Sequence, residues 1–438
     1  MKQYNEYKDS GVKWIGEIPS HWGIESFGRH FSYGKGLLIT KADLKEDGVA
    51  VISYGQIHAK INTGTTLSEA LTRRVDSSFL ETNSQCLLQK NDFIFADTSE
   101  DINGCGNCCF NDYDGLIFAG YHTVVAQPNN LQYPKYYAYL IQSNAWKLQI
   151  QTLVNGVKVY SINKGILKKS SLLIPTISEQ QTIVSYLDTK VSKIDNYIAT
   201  AEKKIAALDE LKQVTIADAV THGIKPNAPM KDSGSPWIGI VPEHWEIKRI
   251  AIMFSENKDK NSKYEFLHAF KFNYGTLVPK NEAGDVSEYR ETYEAYTIIK
   301  KDDIAINCLN LNYDFVSQRV AISPNKGILT SAYLIITPRQ CVNPYYYNYL
   351  FKSMDSKKMF HGMGTGIRLT LSYTELKKQF LPSPPLFEQN EIVAYIDHKV
   401  AQIDKVKASE LAQIEKLKEY KQRLISDVVT GKVKVIND

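Results

Sequence analysis

Cysteines gather at one place in the chain, in the segment Gly104-Cys105-Gly106-Asn107-Cys108-Cys109. Thiolates at such short spacings are typical ligands of structural zinc, which usually needs two closely spaced pairs. A second CxxC pair is missing, and the other half of the chain has no such cluster. We therefore predict free thiols in a reducing compartment and no bound metal.

The motifs of common enzymes are missing as well. The chain has no GxxxxGK[ST] phosphate loop, no HExxH zinc helix and no GxGxxG between a strand and a helix. The segment NPYY at 343–346 is similar to the NPPY loop with which DNA methyltransferases hold a flipped adenine, but its counterpart in the first half is YPKY. We interpret NPYY as the start of a helix, so the sequence predicts no catalytic centre.

The elements that position these residues occur twice. Residues 8–24 read KDSGVKWIGEIPSHWGI and residues 231–247 read KDSGSPWIGIVPEHWEI, with 11 identities in 17 positions. A second pair, EQQTIVSYLDTKVSKID at 179–195 and EQNEIVAYIDHKVAQID at 388–404, lies at an offset of 209. The chain is therefore predicted to consist of two equivalent halves.

Fainter matches between these motifs indicate that each half repeats a whole mixed α/β domain. Ser53-Tyr54-Gly55 corresponds to Asn273-Tyr274-Gly275, and KNDFIF at 90–95 corresponds to KDDIAI at 301–306, a turn that enters a strand. The segment YPKYYAYLIQS at 133–143 corresponds to NPYYYNYLFKS at 343–353, where proline begins an amphipathic helix.

Each domain is followed by a long helical pattern. In the first copy Ser178 and Gln181 have the spacing of a capping box, and apolar or small residues then recur in alternating steps of four and three at Leu187, Val191, Ile194, Ile198, Ala201, Ile205 and Leu208. The second copy gives Ile396, Val400 and Ile403, loses the register at Lys407 and Glu410, and recovers it at Ile414, Leu417 and Leu424. We predict that the two helices cover each other within one chain as an antiparallel pair; the alternative cover is another subunit.

Length and composition are compatible with this organisation. A chain of 438 residues suits two to four domains, and a net charge of +4 is only weak evidence for a nucleic-acid partner. No apolar run is long enough to span a bilayer, and the polar start is not a signal peptide, so we predict a cytoplasmic protein without a membrane partner.

Taken together, the duplicated WIGxxPxHW motif after KDSG and the duplicated EQxxIVxYxDxKxxxID helix closely resemble the specificity subunit of type I restriction-modification systems. The resemblance covers essentially the whole chain. It implies a mixed α/β fold in which two pseudo-repeated target recognition domains are separated by two long antiparallel coiled-coil helices. It divides the chain into a first recognition domain at 1–177, a spacer helix at 178–222, a second recognition domain at 223–386 and a second helix with a tail at 387–438.

The resemblance also implies the function. Such a subunit is non-catalytic and recognises a bipartite site in double-stranded DNA, with one half-site for each domain. Its expected partners are two modification (methyltransferase) subunits and restriction (motor-nuclease) subunits. The cofactors S-adenosylmethionine, ATP and magnesium would be used by those partners, and none would be bound by this chain.

Side chains that read bases must be carried into the major groove, where Arg and Lys favour guanine and Asn and Gln favour adenine. We expect them on loops between strands. The candidates are Lys35, Tyr54, Gln56, His58, Arg73, Arg74 and His122 in the first domain, and Lys271, Tyr274, Arg290, Asn310 and Arg319 in the second. Lys158 and Arg368 occupy matching positions after Gly156 and Gly366, which suits a phosphate contact shared by both halves.

Four of the five tryptophans, Trp14, Trp22, Trp237 and Trp245, belong to the first repeated motif. We predict that they bury hydrophobic area where each domain meets the helices, in preference to stacking on bases. Two other functions remain open for the whole chain. One is a DNA methyltransferase or nuclease with an unrecognised active site, which would bind S-adenosylmethionine or modify DNA alone. The other is a coiled-coil scaffold, which would show no sequence-selective binding.

Overall fold

The computed structural model describes residues 3–154, 156, 159–235, 237–280, 286–313, 318–364 and 369–435. The chain divides into two compact units, Met1–Ala201 with Ala412–Asp438, and Glu202–Leu411. We call them the first and the second unit. Each contains many short strands and helices together with part of both long helices.

The elements of the first unit follow in chain order. The strands are β1 (Tyr7–Asp9), β2 (Glu17–Pro19), β3 (Gly23–Ser26), β4 (Phe31–Lys35), β5 (Leu44–Lys45), β6 (Val49–Ile52), β7 (Arg73–Val75), β8 (Phe93–Ala96), β9 (Thr98–Ser99), β10 (Cys108–Phe110), β11 (Ile117–Ala119), β12 (Thr123–Pro128), β13 (Tyr160–Ser161) and β14 (Ser171–Ile174). The helices are α1 (Phe27–His30), α2 (Tyr54–Ile57), α3 (Phe79–Thr82), α4 (Pro134–Gln142), α5 (Asn144–Gln151), α6 (Lys164–Lys169) and the first part of α7 (Ile177–His222). Short 3₁₀ turns lie at Lys41–Asp43, Glu69–Leu71, Ser84–Cys86 and Ile102–Gly104.

The second unit has a similar series. Its strands are β15 (Met230–Asp232), β16 (Ile240–Pro242), β17 (Glu246–Arg249), β18 (Phe254–Glu256), β19 (Phe270–Asn273), β20 (Thr276–Pro279), β21 (Thr297–Ile299), β22 (Ile304–Ile306), β23 (Val320–Ile322), β24 (Gly327–Leu329), β25 (Leu334–Pro338) and β26 (Phe380–Ser383). Its helices are α8 (Ile250–Met253), α9 (Arg290–Ala295), α10 (Pro344–Ser356), α11 (Tyr373–Leu376) and the first part of α12 (Leu386–Val429), with 3₁₀ turns at Val286–Tyr289 and Met359–Met363.

A four-stranded antiparallel sheet forms the centre of each unit. Its strand order is β10-β8-β12-β4 in the first unit and β23-β22-β25-β18 in the second, so the two sheets correspond strand for strand. The turn before the central strand has the same form in both. Asn91 and Asp302 adopt positive φ angles of 74° and 69°, and the next carboxylate, of Asp92 or Asp303, accepts a backbone N–H at 2.8 or 2.9 Å. The predicted match between these turns is confirmed.

The remaining strands differ between the units. In the first unit β6 pairs in parallel with β11 and antiparallel with β7, whereas in the second β19 and β20 form a hairpin. Ser53-Tyr54-Gly55 therefore begins helix α2, while Asn273-Tyr274-Gly275 lies in a hairpin turn. The predicted equivalence of these two triplets is wrong, because the chain takes different partners on either side of them.

The start of α7 also differs from the expected one. Thr176 and Glu179 form the capping interaction: the Thr176 hydroxyl donates to Glu179 Oε2 at 2.7 Å, and the Glu179 N–H points to the same hydroxyl at 3.4 Å. The box predicted at Ser178 and Gln181 is thus two residues late. The predicted helix start at NPYY is confirmed, because Asn343 caps α10 through hydrogen bonds to the backbone N–H groups of Tyr345 and Tyr346.

The two long helices pair within one chain and run antiparallel. In the first unit Lys421 of α12 donates to Asp195 of α7 at 2.6 Å. In the second unit Lys212 of α7 donates to Asp404 of α12 at 2.8 Å. These two ion pairs are equivalent, since both residues of one are shifted by 209 from those of the other. The predicted intramolecular pair and the predicted fold class are therefore confirmed.

The seam between the helices contains polar residues as well as the expected apolar ones. Ile194 and Ile403 are buried in it. Lys407 contacts Asp209, and Glu410, which is buried, accepts from Lys204 at 2.5 Å. The register is not lost at Lys407 and Glu410; ion pairs occupy the seam at these positions.

Candidate nucleic-acid interface

In each unit, one repeated tryptophan joins the short strands and helices to a long helix. Trp22 and Trp245 are fully buried, and their indole N–H groups donate to Glu179 Oε1 at 3.2 Å and to Glu388 Oε2 at 2.7 Å. Each of these carboxylates lies in the first turn of a long helix. The predicted burial against the helices is confirmed for this pair.

The other two repeated tryptophans face solvent. Trp14 is 36% exposed and Trp237 is 48% exposed. The predicted burial is therefore wrong for Trp14 and Trp237.

Glu179 has several donors around one carboxylate. His21 Nε2 lies 2.9 Å from Oε1, and the hydroxyl of Thr176 donates to Oε2. Burial by itself raises the pKa of Glu179, but the hydrogen bonds from Thr176, His21 and Trp22 outweigh it, so that the pKa lies below its ordinary value. The carboxylate is therefore held in its charged form.

Glu388 is the equivalent carboxylate in the second unit and has a different set of donors. Lys225 Nζ donates to Oε1 at 2.8 Å, and His244 Nε2 lies 2.9 Å from Oε2. Burial raises the pKa of Glu388, and the donors Lys225, His244 and Trp245 lower it further than burial raises it. Both units thus anchor the Trp motif to an ionised glutamate.

A repeated tyrosine holds the other end of each long helix. The buried hydroxyl of Tyr136 donates to the carbonyl oxygen of Val429 at 2.9 Å, and that of Tyr346 donates to Val220 at 2.8 Å. These carbonyls lie in the last turns of α12 and α7, where helical partners are missing. Sequence reasoning missed this contact, although the spacing of tyrosines in YPKYYAY and NPYYYNY was the signal for it.

A second tyrosine of the same short helix contacts the side of a long helix. Tyr139 donates to Asp188 Oδ1 at 2.5 Å, and Tyr349 donates to Asp397 Oδ1 at 2.6 Å. The tyrosines of α4 and α10 are therefore part of a repeated frame of contacts between the short helices and the long helices.

In the first unit three predicted residues lie on one cleft of about 630 Å³. Tyr54 projects from the start of α2, and its ring lies 6.3 Å from that of His58 and 5.4 Å from that of His122. His122 is exposed with a φ of 55°, and its Nδ1 lies 3.2 Å from Asp97. The rest of the lining is mainly polar, from Gly55, Thr98, Ser99, Glu100, Asp101, Asn103, Gly104, Asn107 and Val159.

A chain of hydrogen bonds fixes one wall of this cleft. Lys147 Nζ donates to Asn107 Oδ1 at 2.9 Å, and Asn107 Nδ2 lies 3.1 Å from His58 Nδ1. His58 Nε2 lies 2.8 Å from the carbonyl oxygen of Thr98, which can only accept. Because Lys147 can only donate, this order assigns the Asn107 amide and places the His58 proton on Nε2. Both ring nitrogens of His58 are thus used inside the protein, so His58 positions the cleft.

The other first-domain candidates are spread over separate places. Lys35, at the end of β4, and Arg73, at the start of β7, are exposed. Arg74 donates to Glu69 Oε1 at 2.7 Å, and the Gln56 side chain accepts the N–H of Ser53 at 3.1 Å as the cap of α2. The structure does not gather these four residues with the cleft.

In the second unit two candidates lie on one hairpin. Tyr274 and Gly275 form the two-residue turn between β19 and β20, with positive φ angles of 44° and 74°. Tyr274 is 85% exposed, and Lys271 on the same hairpin is exposed too. Asn273 lies on the same face of β19 as Lys271, because side chains alternate along a strand, and sequence reasoning missed it.

Arg319 is a correction to the predicted site. It is fully buried, and its guanidinium donates to the carbonyl oxygens of Asn307, Leu309 and Asn310 at 3.1, 2.7 and 3.4 Å. Its backbone N–H donates to Asp355 at 2.7 Å. Arg319 therefore shapes the loop that exposes Asn310 and does not itself face solvent.

Arg290 is exposed, donates to Glu294 at 2.8 Å, and lies over the ring of Tyr264. Lys158 and Arg368 lie outside the described residues.

The cysteine cluster has no metal geometry in the part of the chain that the structure describes. Cys105, Cys108 and Cys109 are buried free thiols, and no group of three or more His, Cys, Asp or Glu there could hold a metal ion. Burial raises the pKa of Cys105 to about 11 and that of Cys109 to about 12. These thiols pack in the core as small apolar groups.

Across the described residues, we find no helix with the length and hydropathy required to cross a lipid bilayer.

Comparison with known proteins places these features in a family. The family model for the type I restriction modification DNA specificity domain matches residues 27–209 and 242–416, once in each half. The putative type I restriction enzyme MjaX specificity subunit of Methanocaldococcus jannaschii is 23% identical, with 98% of each chain covered. The MjaVIII specificity subunit of the same organism is also 23% identical over 98% of each chain.

Solved structures show the same fold. A chain from a study of complex assembly and conformational transition of the type I R-M system has a TM-score of 0.65 at 15% identity, covering 95% of this chain and 99% of that one. The HsdS subunit from Thermoanaerobacter tengcongensis gives 0.52 at 15% identity, covering 95% of this chain and 98% of that one. Because the family model matches most of the chain and both of its halves, this protein belongs to the type I restriction-modification DNA specificity family.

Proposed function

We propose that this chain is the non-catalytic recognition subunit of a type I restriction-modification enzyme and that each of its two domains reads one part of a split DNA site. The observation that carries the proposal is the contrast within each unit. The contacts of a tryptophan with a glutamate and of two tyrosines with the long helices are repeated in both units, whereas the exposed loops differ in residue and in backbone form. A repeated frame with different loops is what two readers of different sequences require.

The cleft of the first unit supports a direct base contact. Tyr54 and His122 face it with aromatic rings and polar atoms, and Glu100 and Asp101 supply carboxylates. A carboxylate only accepts hydrogen bonds, so it favours the exocyclic amino group of a base over a carbonyl oxygen. We therefore expect the first half-site to include a cytosine or adenine amino group at this cleft.

The hairpin of the second unit supports a different contact. Its tip is narrow, and Lys271, Asn273 and Tyr274 are exposed on it. A two-stranded ribbon fits the major groove, where lysine favours guanine acceptors and asparagine favours adenine. The second half-site would therefore present different hydrogen-bonding groups of its bases from those of the first half-site.

Catalysis belongs to partner subunits in this proposal. Two modification subunits would use S-adenosylmethionine to methylate adenine, and restriction subunits would use ATP and magnesium to translocate and cut unmodified DNA. We propose no cofactor for this chain. The two long helices would connect the domains so that the half-sites lie at a fixed number of base pairs from each other.

The test is to map methylated adenines in the genome of cells that carry the complete system. We expect a split motif in the wild type, loss of discrimination only in the first half-site with Tyr54→Ala, and only in the second with Tyr274→Ala. Tyr395→Ala, at an exposed tyrosine on α12, is the matched control and should leave both half-sites unchanged. A continuous motif, or both half-sites altered by each single variant, would contradict the proposal.

A further inference from the structure

His122 differs from the other histidine of the first unit's cleft in how its ring is used. Both ring nitrogens of His58 have partners within the protein, Asn107 and Thr98. Nδ1 of His122 lies 3.2 Å from the carboxylate of Asp97, and Nε2 has no hydrogen-bond partner among the residues that the structure describes. His122 therefore keeps one ring nitrogen for a ligand of the cleft that it lines.

The contact with Asp97 determines which nitrogen of His122 carries the proton. A carboxylate only accepts hydrogen bonds, so Nδ1 of His122 is the donor. In the neutral ring Nε2 is then an acceptor, and in the protonated ring the same atom becomes a donor. One side chain can thus present two opposite hydrogen-bonding groups to a base.

The backbone and two neighbouring rings hold the imidazole of His122 in place. His122 has a φ of 55°, which few residues other than glycine adopt, and its carbonyl oxygen accepts the backbone N–H of Asp97 at 3.1 Å. Asp97 therefore binds both the backbone and the ring of His122. The ring centroids of Tyr54 and Tyr121 lie 5.4 and 6.0 Å from that of His122. The imidazole thus has a defined position at the cleft.

Two hydroxyl groups of strand β9 use their protons within the protein. The hydroxyl of Thr98 donates to Asp97 Oδ1 at 2.7 Å, and that of Ser99 donates to the carbonyl oxygen of Asp101 at 2.7 Å. These hydroxyls offer acceptors to a ligand of the cleft, as the neutral ring of His122 does. Acceptors pair with a donor such as the exocyclic amino group of adenine or cytosine.

The ionisable groups near His122 come from several segments of the first unit. The described groups that contact its ring or line the same cleft are Asp97, Tyr54, Tyr121, His58, Glu100 and Asp101. Of these residue types, histidine is the one that ordinarily changes its charge between about pH 5 and pH 8. Since the cleft contains two histidines, a variant of His122 is needed to separate its titration from that of His58.

Resting on the proposed function, we propose that His122 is a specificity-determining residue for the first half-site. In its neutral form Nε2 accepts a hydrogen bond from the exocyclic amino group of an adenine or cytosine in the major groove. Protonation turns the same atom into a donor, which repels that amino group and pairs with an acceptor of guanine or thymine. The base preference of the first unit therefore depends on the charge of one imidazole.

The test measures the affinity of the complete complex, this chain with its modification subunits, for DNA duplexes at about pH 8 and about pH 5.5. The position to vary is the one at which Tyr54→Ala loses discrimination. There adenine is replaced by purine, or cytosine by 2-pyrimidinone, each of which lacks only the amino group. The wild type should prefer the base with the amino group roughly tenfold at the higher pH and severalfold less at the lower pH.

His122→Asn is the decisive variant, because asparagine accepts a positive φ and does not titrate. It should show a weaker preference that is the same at both pH values. His398→Gln, at an exposed histidine of α12, is the matched control and should keep the wild-type response to pH. Base changes in the second half-site should have the same effect at both pH values.

The outcomes distinguish the role of His122 from the proposed function. A wild-type preference that is absent at the higher pH or equal at both pH values, or a pH dependence that persists in His122→Asn, would overturn the role of His122. If Tyr54→Ala left discrimination in the first half-site intact, or if the wild type bound unrelated duplexes equally well, the proposed function would fail instead.

Discussion

At the scale of single residues, Glu179 and Glu388 each connect a long helix to the tryptophan motif. Each lies in the first turn of a long helix and also binds the indole of the tryptophan motif, about 150 residues away along the chain. The carboxylates carry a negative charge at a helix N-terminus, which the helix dipole favours. The glutamate of the motif EQxxIVxYxD thus joins the long helix to the rest of its unit.

The lowered pKa of Glu388 predicts a dependence of stability on pH. A carboxylate whose pKa is lower in the folded than in the unfolded state stabilises the fold above its unfolded pKa of about 4.3, and this contribution is lost as the pH falls through the folded value. Glu388→Gln should lower the free energy of unfolding by about 1–3 kcal/mol at pH 7. The difference from wild type should shrink below about pH 4.

Denaturant titrations across this pH range measure that effect. Glu243→Gln, at an exposed residue of the same motif, is the control and should change little at any pH. A constant difference between Glu388→Gln and wild type from pH 7 to pH 3 would show that the charge of Glu388 does not contribute.

At the scale of elements, the helix pair α7 and α12 combines an apolar seam with ion pairs. Its apolar positions could be predicted, because steps of four and three place residues on one face of a helix. The ion pairs of Lys407 with Asp209 and of Lys204 with Glu410 could not be predicted. A charged residue at a heptad position is stable only if the partner helix supplies the opposite charge there.

A charge placed in the seam without a partner should unfold the pair. Ile194→Asp and Ile403→Asp each bury a carboxylate at an apolar position, which should cost on the order of 3 kcal/mol or more. The melting temperature measures the loss. Ser192→Asp and Gln402→Asp place the same charge at exposed positions of the same helices and should melt close to wild type. Equal melting of all four variants would contradict a dry seam.

At the scale of the whole molecule, the proposed function assigns the distance between half-sites to the long helices. A heptad inserted after Ala201 in α7 and another after Leu411 in α12 would fall at the boundary between the compact units and leave the contacts within each unit intact. Seven residues add roughly 10 Å of helix, which corresponds to about three base pairs.

We therefore expect the double insertion to keep both half-site sequences and to prefer a longer gap between them, measured by methylome sequencing. The insertion in α7 alone is the control. It cannot keep both the Lys212–Asp404 and the Lys421–Asp195 pair and should lower the melting temperature. A folded double insertion with an unchanged gap would show that the helices do not set the spacing.

The sequence by itself determined the duplication, the two long helices and the membership of the chain in its family, because repeated motifs and heptads are properties of order along the chain. The tertiary structure alone decided which residues face solvent. Trp14 and Trp22 lie in one motif, yet only Trp22 is buried, and the predicted reader Arg319 lies in the core. Ser53-Tyr54-Gly55 begins a helix and Asn273-Tyr274-Gly275 lies in a hairpin turn, because the strand before the first triplet pairs with the distant strand β11, whereas the strand before the second pairs with the adjacent strand β20. Burial and pairing depend on contacts between segments far apart in sequence, and local spacing carries no record of them.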